Sequence, residues 1–261
     1  MHLISYLSPS IPASLFEVLT DIIGADLELV EATSGPLPGE DPFRAGRADL
    51  GWMCSTSFAE LGDPDGDPSV ALVGIAWVPD DPGSEGQPVY FGDLVVPNDS
   101  TATSLADLAG RRIGCNDPVS LSGFHALRIE MKRRGFSGPG RGVDDFAELV
   151  FTGSHNRSLD LLVEGGDIDA AVVDSVCRTR RGRADDAVAD LRVIERFGPW
   201  PTQPLVARST MDPAEIARVQ AAVIAANDDP RVEAELAAAA MTRLVPVDPA
   251  HYLSVREAMR S

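Results

Sequence analysis

Short apolar runs alternate with amphipathic stretches along the chain, the rhythm of strands buried in a sheet and helices covering it. The runs 3–7, 27–30 and 50–54 predict strands. Between them, Ala13–Ile23 sets Leu15, Phe16, Leu19, Ile22 and Ile23 on one helical side and stops at Gly24. A proline at the first helical position predicts a short helix over 41–47, and Ser55–Leu61 predicts a helix that opens on hydroxyls. Residues 70–78 predict one long buried strand, 80–87 a polar loop, and Val89–Val96 a long extended stretch.

The second half repeats the alternation. Leu105–Leu108 is a short helix ended by Gly110, 112–116 a strand, and 122–134 a helix stopped by Gly135. A strand over 149–152 leads into a helix over His155–Val163, which Gly165 and Gly166 stop. Residues 168–173 and 191–197 predict strands, and 213–226, 231–240 and 250–260 predict helices. Extended crossings near 89–96 and 191–200 divide this α/β pattern into two lobes with a cleft between them. One lobe holds residues 1–90 and 197–261, the other 91–196.

The length of 261 residues and 44% hydrophobic content suit such a two-lobed core. A formal net charge of −18 excludes a nucleic-acid partner, because no basic surface is available to neutralise phosphates. Arg178, Arg180, Arg181 and Arg183 form the one dense basic cluster and read as the coat of a helix end. An anion bound by so acidic a chain must be held by local donors rather than by net charge. Cys54, Cys115 and Cys177 are odd in number and lack metal spacing, and His2, His125, His155 and His251 form no paired motif. The expectation is no metal and no cofactor. No run of 18 apolar residues offers a membrane span.

Two segments carry candidate chemistry. In the first, Ser120-Leu-Ser-Gly123 follows a strand and opens a helix, where unpaired backbone N–H groups and the hydroxyls of Ser120 and Ser122 can meet an oxyanion. Gly123 lets the backbone approach. A plain serine cap explains the same residues. In the second, Thr152-Gly-Ser-His155 again joins a strand to a helix start, where the helix dipole lowers the pKa of His155 and favours its neutral form. Ser154 adds a donor, and the alternative is a surface histidine. Asp174 ends the next strand and could equally cap the helix that follows.

These two segments, Ser104 to His125 and Phe151 to Ser175, resemble the second lobe of the phosphate- and phosphonate-type solute-binding proteins of ABC transporters. The resemblance runs from about Gly46 to Met211. It implies an α/β, two-lobed, type II periplasmic-binding-protein-like fold with two extended hinge crossings and a ligand in the cleft. In that family the first loop is of Ser-Thr-Ser-Gly type, and Leu121 here removes its middle hydroxyl. The resemblance casts Ser120, Ser122, Gly123, Ser154 and His155 as anion ligands and Asp174 as a partner for an amine. It also casts Tyr90 and Trp200 as aromatic lining, while Tyr6-Leu-Ser-Pro-Ser10 and Cys54-Ser-Thr-Ser57, which follow strands and precede helices, offer Tyr6, Ser55 and Thr56 as contacts from the first lobe. Capping and packing account for these last residues equally well.

The expected function is capture of a small oxyanion-bearing molecule, with an ABC permease as partner if the chain is exported and a monomer or weak dimer as its state. As numbered, Met1-His-Leu-Ile-Ser-Tyr-Leu-Ser lacks the basic and apolar regions of an export signal, which predicts a cytoplasmic protein, or an extracytoplasmic one if a leader has been removed. The rival reading is a cytoplasmic lyase- or dehydratase-type enzyme on the same fold, with His155 as acid–base residue beside Asp174 or Asp117.

Overall fold

The strands gather into three sheets in the computed structural model, which describes residues 1–8, 10–63, 65–137, 142 and 145–260. The first segment carries β1 (His2–Ser5), α1 (Ala13–Ile23), β2 (Asp26–Leu29), β3 (Leu50–Trp52), α2 (Ser55–Leu61), β4 (Val70–Leu72) and β5 (Ile75–Pro79). The middle carries β6 (Val89–Val96), β7 (Arg112–Cys115), α3 (Ala126–Arg133), β8 (Glu148–Phe151) and α4 (His155–Val163). It continues with β9 (Ala170–Asp174), α5 (Ser175–Ala184), α6 (Asp186–Ala189) and β10 (Arg192–Pro201). The last carries β11 (Leu205–Arg208), α7 (Pro213–Ala225), α8 (Pro230–Ala238), β12 (Met241–Pro246) and α9 (Leu253–Arg260). Two compact units result: unit 1 is Met1–Val89 with Trp200–Ser261, and unit 2 is Tyr90–Pro199.

Unit 1 has a five-stranded sheet in the order β2-β1-β3-β11-β4 and a separate β12-β5 pair. β1 runs parallel to both neighbours, pairing Leu3 with Leu27 and with Leu50, while β11 is antiparallel to β3 and β4. Trp52 and Trp77 stack at 3.9 Å between centroids in the core, with Phe16 edge-on to Trp77. The single strand expected over 70–78 is two strands in different sheets. Gly74, at φ +84°, turns the chain between them, and its carbonyl accepts from Gln220 Nε2 and the Val247 amide. The expected helix over 41–47 is a turn: Asp41 Oδ1 takes the amides of Phe43 and Arg44, and Gly46 at φ +69° ends it. β11 and β12 form strands where apolar periodicity predicted none.

Unit 2 has a sheet in the order β10-β6-β9-β7-β8, so the strands that enter and leave it are neighbours. β7 is parallel to β8 and β9, and β6 is antiparallel to β9. Val95, Leu159, Leu162, Ile168, Val173 and Val188 make a core on one face. The expected helix over 122–134 starts with a wide turn, Leu121–His125, in which the His125 amide reaches the Ser120 carbonyl. The arginine-rich α5 has little apolar spacing and forms by other means. Asp174 Oδ1 caps it by accepting the amides of Val176 and Cys177, and Arg181 pairs with Asp160 at 2.8 Å. No helix among the described residues is long and apolar enough to cross a membrane.

Candidate functional site

Parallel pairing of β7 with β8 brings the two hydroxyl loops side by side in unit 2. The Thr152 amide donates to the Cys115 carbonyl and the Gly153 amide to the Asn116 carbonyl, each at 2.8 Å. Asn116 and Asp117 are buried below the first loop, where Asp117 accepts from Asn116 Nδ2 at 2.8 Å and from the Val119 amide at 2.9 Å. Ser120 caps the wide turn, its Oγ accepting from the Gly123 amide at 3.2 Å. Ser122 is 1% exposed, yet its hydroxyl makes no hydrogen bond among the described residues. Its donor hydrogen is therefore not spent on an acceptor among the described residues.

His155 occupies the first position of α4, behind the capping Ser154, whose Oγ accepts from the Arg157 amide. The imidazole is buried, and burial lowers its pKa to about 3. Desolvation, rather than the helix dipole expected from sequence, keeps it neutral. Its Nδ1 accepts from the Asp174 amide at 3.3 Å, which puts the one ring proton on Nε2. That Nε2–H has no acceptor among the described residues. The ring lies against the first loop, since a β-carbon on Gly123 would come within 2.6 Å of His155 Cε1.

Ser120, Ser122, Gly123, Ser154 and His155 thus share one corner of unit 2. Asp174 is beside them, with one carboxylate oxygen engaged as the α5 cap. Tyr90 is buried in β6. The other candidates belong to unit 1. Ser55 donates its hydroxyl to the Pro201 carbonyl at 3.2 Å, and Thr56 is buried in the first turn of α2. Tyr6 packs with Phe43, Met53 and Phe58, and burial pushes its phenol up to about 12. Trp200 is half-buried near the end of β10.

The cysteines and Ser122 are poorly equipped as nucleophiles. Burial pushes the Cys115 and Cys177 thiols up to about 12, and Cys54 is buried. No hydrogen bond joins Ser122 to His125 or His155 among the described residues. Burial, then the nearby Arg128, lowers the pKa of His125 to about 4.

Three contributors escaped the sequence reading. Gly92, on β6, faces the turn so closely that a β-carbon there would collide with the Ser122 carbonyl oxygen. Asn116 Oδ1 would likewise collide with a β-carbon at 123. Asp93, next to Gly92 and fully buried, binds Arg178 and Arg196, each through Nε at 2.7 Å, and Arg196 also lies 4.4 Å from the Phe91 ring centroid. Arg178 is thus a partner of a buried carboxylate rather than part of a helix-end coat. A lone aspartate in the apolar run Phe91-Gly-Asp-Leu-Val-Val96 was the available signal.

A family model described as "ABC transporter, phosphonate, periplasmic substrate-binding protein" matches residues 15–252. No curated protein matches the chain. Among solved structures, a binding-protein component of an ABC phosphonate transporter from Pseudomonas aeruginosa, PA3383, superposes with a TM-score of 0.76 at 16% identity, covering 99% of this chain and 85% of that one. PhnD1 from Prochlorococcus marinus in complex with methylphosphonate gives 0.75 at 13% identity, covering 100% and 97%. XAC2383 from Xanthomonas citri bound to chloride gives 0.74 at 17% identity, covering 100% and 97%. At these identities the likeness is one of fold, the two-lobed α/β fold of periplasmic binding proteins.

Proposed function

The chain belongs to the family of periplasmic substrate-binding proteins of phosphonate ABC transporters, and on that footing we propose that unit 2 grips the oxyanion of a small phosphonate- or phosphate-like molecule. The grip consists of the Ser122 hydroxyl and the Nε2–H of His155. The observation that carries this reading is the buried, neutral His155, with Nδ1 occupied by the Asp174 amide and Nε2–H without an acceptor among the described residues. A neutral donor holds an anion by a charge-assisted hydrogen bond without a lysine or arginine beside it. This suits a chain whose net charge of −18 cannot attract anions globally. Membership of this family supports an ABC permease as the recipient of the captured molecule and an extracytoplasmic site of action.

Calorimetric titration with phosphate and methylphosphonate tests the reading, with mass spectrometry of the recovered ligand. Binding with recovery of unchanged ligand is the expected result. His155→Ala and Ser122→Ala should each weaken affinity by about tenfold to a hundredfold, from the value of a buried hydrogen bond to a charged group. Unchanged affinity in both variants would remove them from the site, and a chemically altered ligand would make the protein an enzyme.

A further inference from the structure

Both donors in the proposed grip are electrically neutral. Ser122 offers a hydroxyl, and His155 accepts the Asp174 amide on Nδ1 at 3.3 Å, so a second ring proton has no place unless that bond breaks. The arginines that flank these loops are engaged elsewhere in unit 2. Arg157 pairs with Glu164 at 3.1 Å, Arg181 with Asp160 at 2.8 Å, and Arg178 and Arg196 each with Asp93 at 2.7 Å. Arg180 donates to Asn156 Oδ1 at 3.2 Å, and the exposed Arg128 stands 5.3 Å from the Phe124 ring centroid. Burial keeps His125, at the end of the turn, neutral as well.

Negative oxygens back these donors. Asn116 is 3% exposed, and its Nδ2 donates to Asp117 at 2.8 Å, which turns Oδ1 toward Gly123 and the His155 ring. That Oδ1 is buried without a hydrogen-bond partner among the described residues. Asp117 also accepts the Val119 amide, and Asp174, whose own amide holds His155, accepts the amides of Val176 and Cys177. Hydrogen bonds from N–H groups favour the ionised carboxylate, so each of these buried aspartates adds negative charge close to the grip.

A phosphonate or phosphate has a second ionisation near neutral pH, so it arrives with one charge or with two. Taking an ion out of water becomes steeply harder as its charge rises, and neighbouring carboxylates repel the second charge. The singly charged form also keeps one P–OH as a donor, which the doubly charged form lacks. We infer that the grip takes its oxyanion singly charged, and that Asp117 and Asp174 turn the doubly charged form away. This rests on the anion grip proposed above and adds the protonation state of the ligand that it selects.

The test is calorimetric titration of methylphosphonate into the full-length protein at about pH 5.5, where the free ligand is mainly singly charged, and about pH 8.5, where it is mainly doubly charged. Phosphorus NMR at the higher pH reads the protonation state of the bound ligand directly. Affinity should be about tenfold or more weaker at the higher pH, following the fraction of ligand in the competent form. The bound phosphorus signal should stand at the position of the singly charged ligand. In Asp174→Asn, whose side-chain oxygen can still cap α5, and in Asp117→Asn, the ratio between the two affinities should shrink to about threefold. Affinity equal or greater at the higher pH, a bound signal at the doubly charged position, or a ratio that neither substitution changes overturns the inference and leaves the anion grip standing. If methylphosphonate binds at neither pH, the proposed function itself fails.

Discussion

The Cε1 carbon of His155 lies so close to Gly123 that a β-carbon at 123 would stand 2.6 Å from it, with Asn116 Oδ1 nearer still. Glycine here is a requirement of space, since all three residues are buried and Asn116 is held by Asp117. Gly123→Ala should push the turn away from His155, lower stability by about 1–3 kcal/mol as overpacking does, and weaken phosphonate binding at least tenfold. Thermal melting and calorimetric titration measure the two effects. An alanine variant that melts and binds as the parent does would show that the two loops are not in contact.

Ser120 and Ser122 are two residues apart but do different work in the turn. Ser120 caps it, so Ser120→Ala should lower stability by about 1 kcal/mol. Ser122 makes no side-chain hydrogen bond among the described residues, so Ser122→Ala should leave the unfolding midpoint nearly unchanged while weakening oxyanion binding. Denaturant unfolding of both variants with and without phosphate separates the effects. Equal losses of stability would sink the distinction.

Burial lowers the pKa of His155 to about 3 and that of His125 to about 4, from an ordinary value of 6.5. The native protein thus rejects protons that the unfolded chain accepts below about pH 6.5. Stability should be full above that pH and fall as pH drops through the window from 6.5 toward 4 and 3. The slope is roughly 1.4 kcal/mol per pH unit for each histidine. Urea unfolding at pH 7 and pH 5 should differ by about 2–4 kcal/mol from these two groups. A His155→Gln, His125→Gln double variant should flatten that part of the curve, and an unchanged slope would assign the acid sensitivity elsewhere.

Asp93 is fully buried, whereas Arg178 and Arg196 keep a quarter to a third of their side chains exposed, at 24% and 32%. Removing both arginines strands a carboxylate without solvent, while removing the carboxylate leaves two cations that can still reach water. The Arg178→Ala, Arg196→Ala double variant should therefore lose more stability than Asp93→Asn, by about 1–3 kcal/mol. Chemical denaturation of the two variants decides it, and the opposite order would mean that the guanidiniums bear the larger desolvation cost.

Local pattern was enough wherever the cause lies within a few residues. Apolar spacing, hydroxyl caps and glycine stops predicted Ala13–Ile23, Ser55–Leu61 and His155–Val163 with the bounds the structure has. The same signals placed hydroxyls and a histidine at two strand-to-helix junctions. They could not show that the run over 70–78 divides at Gly74, because that turn is held by Gln220 and Val247, far along the chain. Nor could they show that the arginines of α5, the helix Asp174 caps, bind Asp160 and Asp93 rather than coat a helix end.

The sequence by itself determined the alternation of strands and helices, the capped junctions and the charge that forces an anion to rely on local donors. Only the tertiary structure decided which hydroxyl is spent as a cap, which nitrogen of His155 carries the proton, and why positions 92 and 123 are glycine. The proton on His155 and the two glycines depend on contacts between residues far apart in sequence, as between Gly92 and Ser122. Such contacts are set by the order and register of strands in the sheet, which no local periodicity encodes.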